Sequence, residues 1–264
     1  MPYNCIVIVR EVWDTRDLAN QVLEENGKLK DGALQTRFEP EDLNALEIAL
    51  QIKDKHGGKV TALAIGGPRN IDVLRECLYR GVDEVARIDE PNFKDLDTAA
   101  AASLLFQAIK KIGSYDLVLS GVNVVEGENS LLGAEVANLI GIDHVSYVDS
   151  LEEISEGRIK CKRAVEMGYE IVETKLPAAI IAGVALLKDD PRTPRSAKAV
   201  LKLKQKKVPV PTWTAKELGI EDLSSFKTTC ISRYEAVKQR TVESKNIAPE
   251  DESALKGMLS EVMK

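Results

Sequence analysis

The chain is short of the side chains that most often announce chemistry. It has two histidines, His56 and His144, so a histidine-rich metal site or a histidine-based triad would have to be built on one of them; each reads as structural or exposed. Its four cysteines, Cys5, Cys77, Cys161 and Cys230, stand far apart with no C-x-x-C pair. That spacing argues against a disulfide framework or a thiolate metal site, and for reduced thiols in a reducing, cytoplasmic compartment. Neither G-x-G-x-x-G nor G-x-x-x-x-G-K-[ST] occurs, so neither the common dinucleotide fingerprint nor a P-loop applies. No secretory signal is visible at the N-terminus, where a short apolar run has no basic region before it. The longest apolar stretch, Leu176 to Leu187, falls well short of the ~20 residues needed to span a bilayer. With 36 basic and 42 acidic residues, net charge −6, nothing points to nucleic acid or an anionic membrane as the main partner.

What is present is a folded chain of 264 residues, 44% hydrophobic and 30% charged, enough for one large domain or a domain with an extended tail. Strand and helix signals alternate from the start. Cys5–Val9 is a continuous apolar, largely β-branched run, suited to a strand covered on both faces. Beyond Pro40, Ala45, Ile48, Ala49 and Ile52 fall on one helical face, widened by Leu43, Leu46 and Leu50, and Gly57-Gly58 ends the helix. Lys59–Ile65 is the next strand, followed by a helix over residues 69–80 and a short strand at Val82–Ile88. Asp97 or Thr98 is placed to cap a helix over residues 99–111. Tyr115–Leu119 reads as another buried strand, and a helix follows near Ser130–Ile140. This order predicts βαβ units and a largely parallel sheet.

After Gly141 the rhythm changes. Strand-like pieces separated by polar turns over about residues 145–183 predict an antiparallel excursion that returns to the sheet. Domain boundaries follow: an α/β nucleotide-binding domain over residues 1–211, and a C-terminal arm over 212–264 with one terminal helix near Pro249–Lys264 that needs another surface to pack on.

In open α/β sheets, ligands bind beyond the carboxyl ends of the strands. Four segments are expected there: Val9-Arg10-Glu11, Glu39–Asp42, Gly66-Gly67-Pro68, and the loop that follows Leu119. In that loop Gly121 and Gly127 allow close backbone approach. Asn129 or Ser130 would open a helix whose free N–H groups favour a phosphate. The same segment also reads as a plain turn with Glu126 and Glu128 exposed. No self-contained catalytic set can be assembled.

Seven segments, in order, resemble the beta subunit of electron transfer flavoproteins, over about residues 3–220. They are IVIVREVWDT (6–15), FEPEDLNALEIAL (38–50), AIGGPRNIDVLRECLYRGVDEV (64–85), SGVNVVEGENSLLGAEVANLIGI (120–142), KRAVEMGYEIVETKLPAAIIAG (162–183), DDPRTPRSAKAVLKLKQKKVP (189–209) and WTAKELGI (213–220). The resemblance implies a Rossmann-like, adenine nucleotide alpha hydrolase-like fold, mostly parallel, with an antiparallel insert and a C-terminal arm. It implies a heterodimer with an alpha subunit, an FAD shared with that subunit, and a second nucleotide in this one, either AMP or another FAD. It further implies an electron carrier rather than an enzyme, serving a flavin-dependent dehydrogenase such as an acyl-CoA dehydrogenase, or else an electron-bifurcating type that oxidises NADH.

The positions matching the family's nucleotide site are Ile8, Glu39, Pro40, Glu41, Asp42, Gly66, Gly121, Val122, Asn123, Val124, Val125, Glu126, Gly127, Glu128, Asn129, Ser130, Leu131 and Leu132. Ile8 and Gly66 would act through backbone, and the amides near Asn129–Leu132 through phosphate. Asn129–Leu132 lacks the Thr and Gln typical of either nucleotide class, so AMP and FAD both stay open. Arg192, Arg195 and Ser196 match the partner-docking segment, where Ser196 replaces a common Leu and implies a different or dedicated partner. The basic stretch 192–207 is either that docking surface or a solvated helix face. Two other classes compete: a universal-stress-like, ATP-binding regulatory protein, and a nucleotide-dependent ligase or hydrolase.

Overall fold

The structure is a computed structural model that describes residues 1–14, 30, 34, 36–66, 70–90, 96–122, 131–183, 209–223 and 252–262. The chain divides into two compact units, one of Met1–Val22 with Asp31–Cys230, the other of Leu23–Lys30 with Ile231–Lys264.

The first unit is built on a nine-stranded sheet. Its strands are β1 (Cys5–Val9), β4 (Val60–Gly66), β5 (Glu84–Asp89), β6 (Leu117–Gly121), β7 (Asp143–Ser155), β8 (Arg158–Val165), β9 (Gly168–Lys175), β10 (Ala178–Ala182) and β11 (Thr212–Thr214), in the order β11-β5-β4-β1-β6-β10-β7-β8-β9. Strands β11 through β10 pair in parallel, as does β7 with β10, whereas β7-β8 and β8-β9 are antiparallel. A separate ribbon pairs β2 (Glu11–Trp13) with β3 (Thr36–Phe38).

Alternation along the strands sorts the core into two layers. Val7, Val9, Ala62, Ala64, Leu119 and Ile180 face α1 (Pro40–His56) and α2 (Asn70–Arg80). Ile6, Ile8, Leu63, Ile65, Val118 and Ala179 face α3 (Thr98–Ile112) and α4 (Leu132–Ile140). The expected apolar face of α1 is buried as read, and Asp97 caps α3 by accepting a hydrogen bond from the Ala99 amide at 2.7 Å. The Rossmann-like, mostly parallel α/β fold with an antiparallel insert is therefore the observed architecture.

One detail differs from the sequence expectation. The excursion does not leave the sheet whole: the first half of β7 pairs with β10, and a bulge at Tyr147, with φ of 60°, turns its second half toward β8. Sheet pairing also continues past residue 211, where Thr212–Thr214 adds an edge strand beside Arg87–Asp89 and Leu218 is buried against the sheet.

In the second unit, α5 (Glu252–Val262) forms where the terminal helix was expected. It exposes Leu255, Met258 and Leu259 at helical spacing.

Candidate functional site at the carboxyl edge of the sheet

Strand order makes β1 the point of reversal, with β4 and β5 on one side and β6 and β10 on the other. α1 and α2 cover one face and α3 and α4 the other. The crevice at such a switch point is where doubly wound sheets bind ligands. The pairing shows the crevice directly. β1 follows β4 as far as Val9 and Ala64, but follows β6 only as far as Val7 and Leu119.

The first turn of α1 enters where the two strands part. Asp42, fully buried, accepts hydrogen bonds from the Arg10 amide (2.8 Å), Arg10 Nε (2.9 Å), Arg10 Nη2 (2.8 Å) and the Gly121 amide (2.8 Å). A carboxylate offers about four acceptor positions, so this one is filled from inside the protein. Arg10 also donates to the Gly121 carbonyl at 3.3 Å. Burial works against the Arg10 charge, but the Asp42 carboxylate and its hydrogen bond, with Glu39 and Glu41 nearby, raise the guanidinium above its ordinary value. Asp42 thus ties the ends of β1 and β6 to the start of α1.

Two glycines permit the close approach. A Cβ on Gly121 would lie 2.6 Å from Glu41 Cβ and 2.9 Å from the Asp42 amide nitrogen. A Cβ on Gly133 would lie 2.3 Å from Ser120 Oγ and 3.2 Å from Ile181 Cγ1. Both α1 and α4 therefore begin directly on the strand ends. Their first-turn N–H groups are the kind that donate to a phosphate or other anion. The Glu39 amide donates to the Arg10 carbonyl at 3.0 Å, and Asn44 Nδ2 donates to the Gly183 carbonyl at 3.0 Å, extending the brace to the end of β10.

Polar burial concentrates here. Among the described residues, seven of the nine buried polar or charged side chains belong to this edge: Arg10, Glu39, Glu41, Asp42, Asn44, Arg87 and Ser120. Among the described residues, the thiols Cys5, Cys77 and Cys161 are buried elsewhere. Burial, then Asp116, pushes Cys5 up to about 12; burial, then Glu152, does the same to Cys161; burial raises Cys77.

Of the expected positions, the structure gathers Glu39, Pro40, Glu41, Asp42 and Gly121 around the β1–β6 gap, with Leu132 buried at the start of α4 and Leu131 exposed beside it. Gly66 ends β4, and Val122 is buried just past β6. The Ile8 side chain is fully buried in the α3–α4 layer, so only its backbone is left to meet a ligand. Gly67 and Pro68, Asn123 through Ser130, and Arg192, Arg195 and Ser196 lie outside the described residues. Sequence reading missed Asn44 and Arg87, and it placed Ser120 in the expected loop without giving it a role. Arg87 had a signal: a lone charge inside a buried strand.

Comparison with known proteins identifies the family. The model of the electron transfer flavoprotein domain matches residues 27–218. The electron transfer flavoprotein subunit beta of Clostridium acetobutylicum is 34% identical over 68% of this chain and 68% of its own length. The caffeyl-CoA reductase-Etf complex subunit CarD of Acetobacterium woodii is 30% identical over 81% of this chain and 79% of its own. Protein FixA of Azorhizobium caulinodans is 28% identical over 98% of this chain and 93% of its own. With most of its length matched by the family model and a beta subunit 34% identical over two thirds of it, the chain belongs to the electron transfer flavoprotein family as a beta-type subunit.

Proposed function

We propose that this subunit binds an adenine nucleotide, AMP or a second FAD, in the crevice at the carboxyl edge, and pairs with an alpha subunit that shares an FAD with it. One observation carries the reading: β1 and β6 part at the switch point while the first turns of α1 and α4 close onto the strand ends. The residues fit an adenine nucleotide. Gly121 lets the first turn of α1 close onto the end of β6, the α4 start offers amides to phosphate, and Gly66 lies where the far end of the molecule would reach. When bound, a flavin supplies reversible electron transfer, and the protein supplies position and electrostatics. In this reading the Asp42–Arg10 brace holds the crevice in shape, and the buried charges around it are fixed before any ligand arrives.

The subunit passes electrons between a flavin-dependent dehydrogenase and an acceptor. Two relatives are named for CoA-thioester reductase assemblies, the caffeyl-CoA protein above and the acryloyl-CoA reductase electron transfer subunit gamma of Anaerotignum propionicum. Those names favour a partner that acts on an acyl-CoA. They also keep open the NADH-oxidising, bifurcating type, with FAD in place of AMP. The arm, including the exposed stripe Leu255, Met258 and Leu259 on α5, packs on the alpha subunit. Arg192, Arg195 and Ser196 belong to the dehydrogenase-facing segment.

The test is the content of the purified two-subunit complex. Denaturation should release either one FAD and one AMP, or two FAD, per heterodimer. A complex that releases flavin but no second nucleotide would sink the nucleotide site, and a colourless homodimer that takes ATP would sink the carrier.

A further inference from the structure

β5 is buried from Val85 to Ile88, and within it Arg87 is only 6% exposed. An apolar side chain there would avoid the desolvation that a buried guanidinium incurs. Its contacts run toward the end of β4: Nη1 donates to the Gly66 carbonyl at 3.1 Å and to Asp89 Oδ1 at 2.9 Å. Asp89 stands opposite Gly66 in the β4–β5 register, and its carboxylate is 35% exposed, so the pair reaches the edge of the sheet. The Arg87 amide donates to the Pro211 carbonyl at 2.8 Å, which fixes β5 on its other side.

The Arg87 Nε–H is buried and has no acceptor among the described residues. Such a donor is destabilising and calls for an explanation. On the reading proposed above, a phosphate lies where β6 meets α4. Gly66 is two strands away, and two strand spacings are about 10 Å, close to the span from phosphate to base in a nucleotide. A guanidinium carries only donors, and a purine ring offers acceptors.

We propose that Arg87 positions the base end of the bound nucleotide: it fixes the Gly66 carbonyl, and its stranded Nε–H is completed by an acceptor of the adenine, directly or through one ordered water. This role rests on the nucleotide reading, and its test separates the two.

The two-subunit complex is freed of the second nucleotide and titrated with AMP and, separately, FAD. The Arg87→Met variant, which keeps the volume and removes every donor, should weaken the nucleotide that the wild type takes by about tenfold or more. Arg87→Lys, able to reach the Gly66 carbonyl alone, should recover part of that loss. The melting temperature of the nucleotide-free Arg87→Met complex should fall less than that of the loaded complex, because losing the stranded Nε–H offsets part of the loss of the Nη1 bonds to Gly66 and Asp89. Unchanged affinity in both variants overturns the proposal. So does a melting temperature that falls in the nucleotide-free complex as much as in the loaded one, since a mere brace would behave that way. A wild-type complex that binds neither nucleotide removes the proposed function itself, and the role of Arg87 with it.

Discussion

One sheet carries two regions of opposite character. At the carboxyl edge of β1, β4 and β6, charged groups are buried and tied into backbone: Asp42 takes two main-chain amides and the Nε and Nη2 donors of Arg10. In the β7–β9 extension the charges sit outside. Arg158 meets Glu173, Lys160 lies 3.8 Å from both Glu153 and Glu173, and Arg163 lies 3.8 Å from Glu170, all on exposed or half-exposed side chains. A residue count would call both regions rich in ion pairs. Physics separates them. Removing one partner of a buried pair leaves an uncompensated charge, whereas an exposed pair is screened and loses side-chain entropy to stay formed. The first region is built to hold a shape, the second to keep a sheet edge solvated.

The sharpest way to break that contrast is Asp42→Ala. It strands Arg10 inside the protein, and the expected loss is about 3–5 kcal/mol of unfolding free energy, read from the denaturant midpoint. A loss below about 1 kcal/mol would put the brace in the same class as a surface pair. Gly121→Ala should follow at about 1–3 kcal/mol, because its Cβ must push the first turn of α1 off β6. The same variant should release the second nucleotide from the complex. Retention of nucleotide at wild-type stoichiometry would show that the gap tolerates a wider start to α1.

Much of the fold was legible because its signals are local. Val7, Ile8 and their neighbours form an apolar run that only a doubly covered strand explains, and Ala45, Ile48, Ala49 and Ile52 share one helical face. The site was legible as a set of segments and not as a mechanism. Asp42 looked like a ligand contact, yet its partners lie 32 and 79 residues away, at Arg10 and Gly121. No periodicity reports a bond between such distant positions. The β2–β3 ribbon escaped for the same reason, since three-residue strands pairing Glu11 with Phe38 carry too little pattern. β11 escaped because Thr212–Thr214 is an edge strand of three residues with only Trp213 partly buried.

A smaller effect sharpens the comparison within the α3–α4 layer. Glu135, in the first turn of α4, has a carboxylate oxygen, Oε2, that is buried without a partner among the described residues. Burial, then the charge of Asp97, raises its pKa above the ordinary glutamate value. A carboxyl whose folded pKa is raised gives its full stability below the unfolded value, and loses it as pH rises through the folded one. Glu135→Gln should therefore stabilise the protein at neutral pH, with the gain fading as pH falls to the ordinary glutamate range. A gain that persists there would assign the effect to packing and not to charge.

The smallest effect belongs to the extension. Arg158 and Glu173 pair diagonally across β8 and β9, with side chains 48% and 40% exposed. Replacing Glu173 by Gln removes the charge and keeps the strand's shape, and the expected loss is about 0.2–1 kcal/mol. It should shrink further at 1 M salt, where the screening length falls to about 3 Å. Lys160, within 3.8 Å of Glu173, sets a check on the size: a network of three charges should lose slightly more than the Arg158 pair alone. If this exposed substitution cost as much as Asp42→Ala, burial would not be what distinguishes the two ends of the sheet. The brace at the crevice would then need another explanation, such as a strand order that any well-placed charge can hold.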